Sequence, residues 1–215
     1  MTLPPIINVP LLVGIGLFWT IAYVLILRRG FKDKALAMPM LALSANISWE
    51  FLFGFIYPSK LFGQRYFNIG WFLLDVGILL QALLFGARDF RTPLARKLFY
   101  AVIPVGMLVS VALLVPTAGW LNDFPDQAAQ YSGFVINIVI SVLFVAMLFQ
   151  RDSIAGQSMY IGFAKMLGTL CAFLTIFWEP LPRFTYSLIF VFDVAYLLAL
   201  YVKLRQTGLS PWRRL

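Results

Sequence analysis

The chain has no histidine among its 215 residues and a single cysteine, Cys171. Haem ligation by histidine, HExxH zinc chemistry and Ser-His-Asp catalysis all need an imidazole, so none is available. One cysteine excludes a disulfide framework and any multi-cysteine zinc or iron–sulfur site. Charge is scarce as well. Only 12% of residues are Asp, Glu, Lys or Arg, against about 25% in soluble domains. In their place stands apolar sequence: 61% of the chain is hydrophobic and the mean hydropathy is +0.87. That leaves too little polar surface to coat a soluble globule. The sequence is that of a multi-pass integral membrane protein.

Seven stretches are long and apolar enough to cross a hydrocarbon core, which takes about 17–25 residues each. They are Leu11–Leu27, Met38–Tyr57, Ile69–Ala87, Leu98–Val115, Tyr131–Phe149, Met159–Trp178 and Phe184–Val202. They predict an all-α bundle of seven transmembrane helices forming one domain over residues 1–215. The polar segments Arg28–Lys34, Pro58–Asn68, Arg88–Lys97, Pro116–Gln130, Gln150–Ser158 and Pro180–Arg183 separate them. Pro39 falls in a first turn, where a helix tolerates it, and Pro104 inside the fourth span is expected to kink it. No leader peptide is expected, because the first cationic residue, Arg28, follows the first span.

The net charge of +8 raises the question of nucleic acid, but its distribution answers against it. Thirteen of the 17 cations fall on one side of the bundle: Arg28, Arg29, Lys32, Lys34, Arg88, Arg91, Arg96, Lys97, Arg151, Lys203, Arg205, Arg213 and Arg214. The other side holds Lys60, Arg65 and Arg183, and Lys165 lies within a span. The positive-inside rule then predicts N-terminus out and C-terminus in. The charge is a topology signal, not a nucleic-acid footprint. Tyr57, Trp71, Trp120 and Tyr131, near the outer ends, fit an interfacial aromatic belt.

An internal repeat is also visible. Span 3 reads Phe72-Leu-Leu-Asp75-Val76-Gly-Ile-Leu79-Leu80 and span 7 reads Phe190-Val-Phe-Asp193-Val194-Ala-Tyr-Leu197-Leu198. Spans 2 and 6 each carry Trp-Glu, as Trp49-Glu50 and Trp178-Glu179. Spans 1–3 and 5–7 run in the same directions, so the pattern suggests a parallel 3+1+3 duplication; chance matching of apolar helices is the alternative.

Of the nine acidic residues, Asp33, Asp89, Asp123, Asp126, Asp152 and Glu179 lie in loops or at helix ends. Glu50, Asp75 and Asp193 fall well inside spans. An ionisable group there costs at least ~2.5 kcal/mol and is a functional candidate by default. At 1.5 Å rise per residue the three sit roughly 9–14 Å from the outer end of their spans, at matching depth. Asn46 and Glu50 share a face at i, i+4, with Phe53 at i+3; Tyr196 lies at i+3 from Asp193 and Trp71 at i−4 from Asp75. Asn137 is at similar depth in span 5. The plain alternative is that these acids are polar glue between helices, hydrogen-bonded to Asn, Tyr or Trp. For Asp75 that packing or orienting role is the expected one; for Glu50 and Asp193 residue types alone leave both readings open. Lys165 is expected to snorkel to the inner surface.

A carboxyl group removed from water is pushed toward its protonated form and can then serve as a general acid. Among apolar walls, and with no metal site or cofactor expected, its natural substrate is a lipid-soluble alkene or epoxide. Aromatic faces, abundant at 17% of residues, stabilise a carbocation without offering a nucleophile to trap it; most of the 21 Phe simply pack or face lipid. There is no DDxxD or DxDD motif, and Asp123-Phe-Pro-Asp126 is a loop pair that matches neither. Cyclisation started by ionising a diphosphate is therefore unsupported, while cyclisation started by protonation stays open.

The segment Ala37-Met38-Pro39 through Asn46-Ile-Ser-Trp49-Glu50-Phe51, followed by Tyr57-Pro58, resembles the signature of the small membrane-bound terpene cyclases. Members of that family cyclise fungal meroterpenoids such as the pyripyropene precursor, and related bacterial cyclases act on prenylated indoles. The resemblance continues through Trp71-Phe-Leu-Leu-Asp75, Ser141 to Leu148, Arg151-Asp-Ser-Ile-Ala-Gly156-Gln157-Ser158 and Phe192-Asp193-Val-Ala-Tyr196. It covers nearly the whole chain, though the chain looks shorter than the fungal members. It implies seven spans and two essential acids, at the positions of Glu50 and Asp193. It also implies a farnesyl- or geranylgeranyl-bearing aromatic or indole substrate that enters from the bilayer. One proton shared between Glu50 and Asp193 is expected to start the reaction. Asn46, Trp49, Phe53, Trp71, Asp75, Asn137, Trp178 and Tyr196 are the expected pocket and supporting residues.

Two other classes compete. A small 3+1+3 transporter would use an intramembrane acid to couple protons, but these spans offer few side chains for coordinating a sugar. A retinal protein needs a lysine within the seventh helix, where this chain has Asp193 and no lysine before Lys203.

Overall fold

The computed structural model describes residues 4–58, 63–90, 92–120, 125–151 and 153–215. Lys60, Arg91, Asp123 and Asp152, and the side chains of Asp89, Trp120 and Asp126, lie outside the described residues. Among the described residues seven α-helices occur where seven spans are predicted: α1 (Pro5–Asp33), α2 (Met40–Phe51), α3 (Gln64–Phe85), α4 (Pro93–Trp120), α5 (Pro125–Gln150), α6 (Met159–Thr175) and α7 (Pro180–Gln206). Among the described residues there is no strand. Five of the helices are long and apolar enough to cross a membrane, while Met40–Ile56 and Met159–Thr175 are shorter apolar helices.

Several boundaries differ from expectation, each for a local reason. Pro39 is the N-cap of α2 rather than part of its first turn. α6 stops at Thr175, so Trp178 lies in the turn to α7, and Pro180–Arg183 form the first turn of that helix. Proline is welcome at N1, where its missing N–H is no loss. α4 continues as one helix through Pro104 and Pro116. α2 ends in a π-helical turn, Leu52–Ile56. Its altered register leaves carbonyls for outside donors: Asn68 Nδ2 reaches Phe53 O at 3.2 Å and Arg65 Nε reaches Gly54 O at 3.2 Å. Such turns concentrate at functional sites, and this one starts two residues after Glu50.

The outer faces are as apolar as the core, and ionisable groups are buried within it. The outward faces of α1, α4 and α7 carry Val9, Val13, Leu98, Leu108, Leu113, Phe184, Val191 and Leu198, all exposed. Glu50, Asp75, Gln81, Asn68, Ser141, Lys165 and Asp193 are buried. This is what a bilayer selects, since lipid tails solvate Leu and leave polar groups to find partners inside the protein.

α1 packs on α6, α6 on α7, α7 on α5, α5 on α2, α2 on α3 and α3 back on α1, with α4 outside against α2 and α5. The ring reads the same when α1, α2 and α3 are exchanged for α5, α6 and α7. One end of it is tied by polar contacts. Gln81 of α3 donates to Leu27 O and accepts from Ala37 N. Asp33 at the end of α1 accepts from Gly156 N at 2.8 Å. Gly156 has φ +76, and a Cβ there would lie 2.8 Å from Leu36 O, so only glycine fits.

Candidate active site

A cavity of about 160 Å³ opens between α1, α2, α3, α5 and α6. From α1 it takes Leu12, Ile15, Trp19 and Tyr23, which follow one another along a single helical face. Asn46, Trp49 and Glu50 form the α2 wall, with Gln64 and Trp71 from α3, residues from Ala129 to Ile140 from α5, and Thr169 to Ile176 on the α6 side. The cavity therefore runs from mid-bundle toward the end where α1, α3, α5 and α7 begin.

At its deep end stands a polar cluster. The Asn46 side-chain nitrogen lies 3.0 Å from Glu50 Oε1 and 2.8 Å from Asp75 Oδ2, and also donates to the Tyr23 hydroxyl. That hydroxyl donates in turn to Glu50 Oε1. Glu50 is 1% exposed and Asp75 fully buried. Glu50 Oε2 and Asp75 Oδ1 have no donor among the described residues, and the two carboxyls meet on the one Asn46 side-chain nitrogen. Two neighbouring charges in a low-dielectric interior repel strongly, and one proton held between the acids removes the repulsion and supplies a donor.

Asp193 is not part of that cluster. Its Oδ1 pairs with Lys165 Nζ at 2.7 Å, both side chains 6% exposed, and Lys165 also donates to Ser141 Oγ at 2.6 Å. The expected Glu50–Asp193 pair is not formed: Asp75, from α3, is the acid brought to Glu50. Nor does Lys165 snorkel. α7 carries a carboxylate to it inside the bundle, and a paired charge beside Asp193 replaces the trip to water. Asn137 connects the two regions: it lines the cavity, and its Nδ2 donates to Thr169 Oγ1 at 2.8 Å. Thr169 Oγ1 donates to Lys165 O.

The remaining expected residues divide. Asn46, Trp49, Trp71 and Asn137 line the cavity; Asp75 sits behind Asn46. Phe53 is core, packed on Trp49 with ring centroids 5.1 Å apart. Tyr196 donates to Gln157 Oε1 at 2.6 Å and meets Phe144 edge-on, away from the cavity. Trp178, outside α6, packs on Phe177. Trp71 is 6% exposed and donates to Thr20 Oγ1; because its face of α3 turns inward it is a wall of the site, not part of an interfacial belt. The aromatic wall residues missed from sequence are Trp19 and Tyr23 on α1 and Phe134 on α5. Tyr23 lies between Trp19 (centroids 6.1 Å) and Trp71 (6.3 Å, stacked). The i, i+4 spacing of Trp19 and Tyr23 was the available signal.

An acid cluster at the bottom of an apolar cavity walled by Trp19, Tyr23, Trp49, Trp71 and Phe134 can deliver a proton and shelter the cation that results. Aromatic faces contribute about 0.5–2 kcal/mol each to a cation held against them.

Comparison with known proteins gives a family. The family profile described as Pyr4-like transmembrane terpene cyclases matches residues 4–206. The chain is 34% identical over 173 residues to the Pyr4-family terpene cyclase mfmH of Annulohypoxylon moriforme, covering 79% of this chain and 69% of that one. It is 31% identical over 167 residues to the terpene cyclase macJ of Penicillium terrestre, covering 76% and 64%. Identity to the terpene cyclase pyr4 of Aspergillus fumigatus is 27% over 155 residues, covering 72% and 64%. The chain thus spans about two thirds of the length of these relatives. No solved structure matches it.

Proposed function

Because the chain belongs to the Pyr4-like transmembrane terpene cyclases, we propose that it cyclises a prenylated aromatic or indole compound by protonating the terminal alkene or epoxide of the prenyl chain. The carrying observation is the donor-poor pair Glu50–Asp75 at the deep end of the aromatic cavity. Glu50, which lines the cavity, is the acid that meets the substrate. Asp75, Asn46 and Tyr23 hold its carboxyl in place and share its proton. The prenyl chain enters from the bilayer, folds against the tryptophan and tyrosine faces, closes through cationic intermediates, and loses a proton. The proton gained at the start balances the one lost, so the reaction is an isomerisation that needs no external cofactor for alkenes or epoxides.

Asp193 acts at one remove, through Lys165 and the wall formed by Asn137 and Thr169. Seven membrane crossings with the N-terminus outside account for the cation distribution, and the ring order of the helices supports a 3+1+3 duplication. The relatives' names favour cyclisation over transport. The test is to supply membranes containing the protein with farnesylated and geranylgeranylated acceptors, with and without a terminal epoxide. Mass spectrometry and NMR should find isomeric products of shifted retention for at least one acceptor. An acceptor panel left unconsumed, beside uptake of an unaltered solute by proteoliposomes, would refute the reading.

A further inference from the structure

A second cavity, of about 310 Å³, lies at the far end of the bundle between the ends of α1 and α7 and the 3₁₀ turn Pro211–Arg213, with Arg29, Lys32, Ser210, Arg213 and Arg214 among its walls. The sequence produces it by ending two helices in the same way. α7 closes in a Schellman turn: Gly208 N donates to Arg205 O and Leu209 N to Leu204 O, with Gly208 at φ +72. α1 closes likewise, with Lys34 left-handed, Lys34 N on Phe31 O and Ala35 N on Gly30 O. Those backbone bonds satisfy carbonyls that side chains otherwise cap, so the cations around the cavity are not needed as caps.

Their charge is only partly answered. Asp33 Oδ2 accepts from Arg29 Nε at 2.8 Å, Arg214 Nη2 at 2.7 Å and Gly156 N at 2.8 Å. One carboxylate thus fixes two guanidinium groups. Arg214 also donates to Gln157 O and Ile154 O, which pins the tail after α7. Lys32 and Arg213 are exposed and have no partner among the described residues. Four cations against one carboxylate leave three positive charges in excess. The two helix ends offset about one of these, at roughly half a charge each. Beside the cavity Trp212, 51% exposed, stacks on Phe163 with centroids 6.0 Å apart, as aromatic anchors do at headgroup depth.

We infer that this cavity binds a phosphate group, the headgroup of an anionic phospholipid or a soluble phosphate, through Lys32 and Arg213 on a frame held by Arg29, Asp33 and Arg214. Basic pockets between helices at the membrane surface take up such headgroups through charge and hydrogen bonding. The site is independent of the cyclisation cavity.

The test uses the full-length protein in detergent, examined by native mass spectrometry after exchange with phosphatidylcholine alone or with added phosphatidylglycerol. A parallel arm follows melting temperature with inorganic phosphate. The wild type should retain phosphatidylglycerol over phosphatidylcholine, and Lys32→Gln/Arg213→Gln should lower that retention at least tenfold with melting temperature unchanged. Arg28→Gln/Lys97→Gln, which removes the same charge from exposed positions outside the cavity, should leave it intact. Retention of phosphatidylglycerol assigns a lipid headgroup. A phosphate-dependent rise in melting temperature, lost in the Lys32→Gln/Arg213→Gln variant and without lipid retention, assigns a soluble anion; both support the site. No response to either probe, or equal loss in the two double variants, overturns it.

Discussion

At the residue scale, three acids of similar sequence context do different work because of what packs on them. Asp75 meets Glu50 through the shared Asn46 nitrogen, and the proposed mechanism has it share Glu50's proton, so Asp75→Asn should reduce cyclisation by about 10²-fold, the lower end for lost general acid–base catalysis. Product formation per mole of folded protein checks this. Asp193 answers the charge of a buried lysine. Asp193→Asn strands that charge and should destabilise by roughly 3–5 kcal/mol, read as a fall in detergent melting temperature. Lys165→Met/Asp193→Leu should recover most of it, since an apolar pair avoids burying charge. A single variant as stable as wild type would show that Lys165 is not held by Asp193.

At the element scale, the loop that seats α6 depends on one backbone conformation. Gly156→Ala forces a Cβ against Leu36 O at positive φ and should cost at least ~1 kcal/mol. It should also loosen the Asp33 contacts at the far end. A melting temperature equal to wild type would refute that. The helices themselves were legible in the sequence, because runs of apolar residues between charged segments permit little else. So were Asn46 with Glu50, through their i, i+4 spacing, and the depth of Asp75. Pairing between helices was not legible. Depth makes Glu50, Asp75 and Asp193 equivalent, and only the packing of α2 on α3 and of α6 on α7 decides which meets which. Lys165 reads as a snorkelling lysine until α7 places Asp193 beside it. The π-helical turn after Glu50 left no sequence signal, since its stabilising donors, Arg65 and Asn68, belong to another helix.

At the scale of the whole molecule, the fold is an apolar core with buried polar clusters set in it and aliphatics exposed on its outer faces, with most cations at one end. The proposed orientation predicts that, in a Cys171→Ser background, Arg183→Cys reacts with an impermeant maleimide on intact cells while Lys97→Cys does not. The reverse pattern would invert the topology. In the proposed mechanism a buried carboxyl of the interior starts cyclisation by giving up a proton. The most direct measurement follows one alkene-ended acceptor in deuterated water with wild type and Glu50→Gln at equal folded concentration. Protonation by Glu50 predicts a wild-type product carrying one deuterium at the position first protonated, and turnover reduced at least ~10²-fold in Glu50→Gln. A Glu50→Gln protein cyclising at the wild-type rate would contradict it.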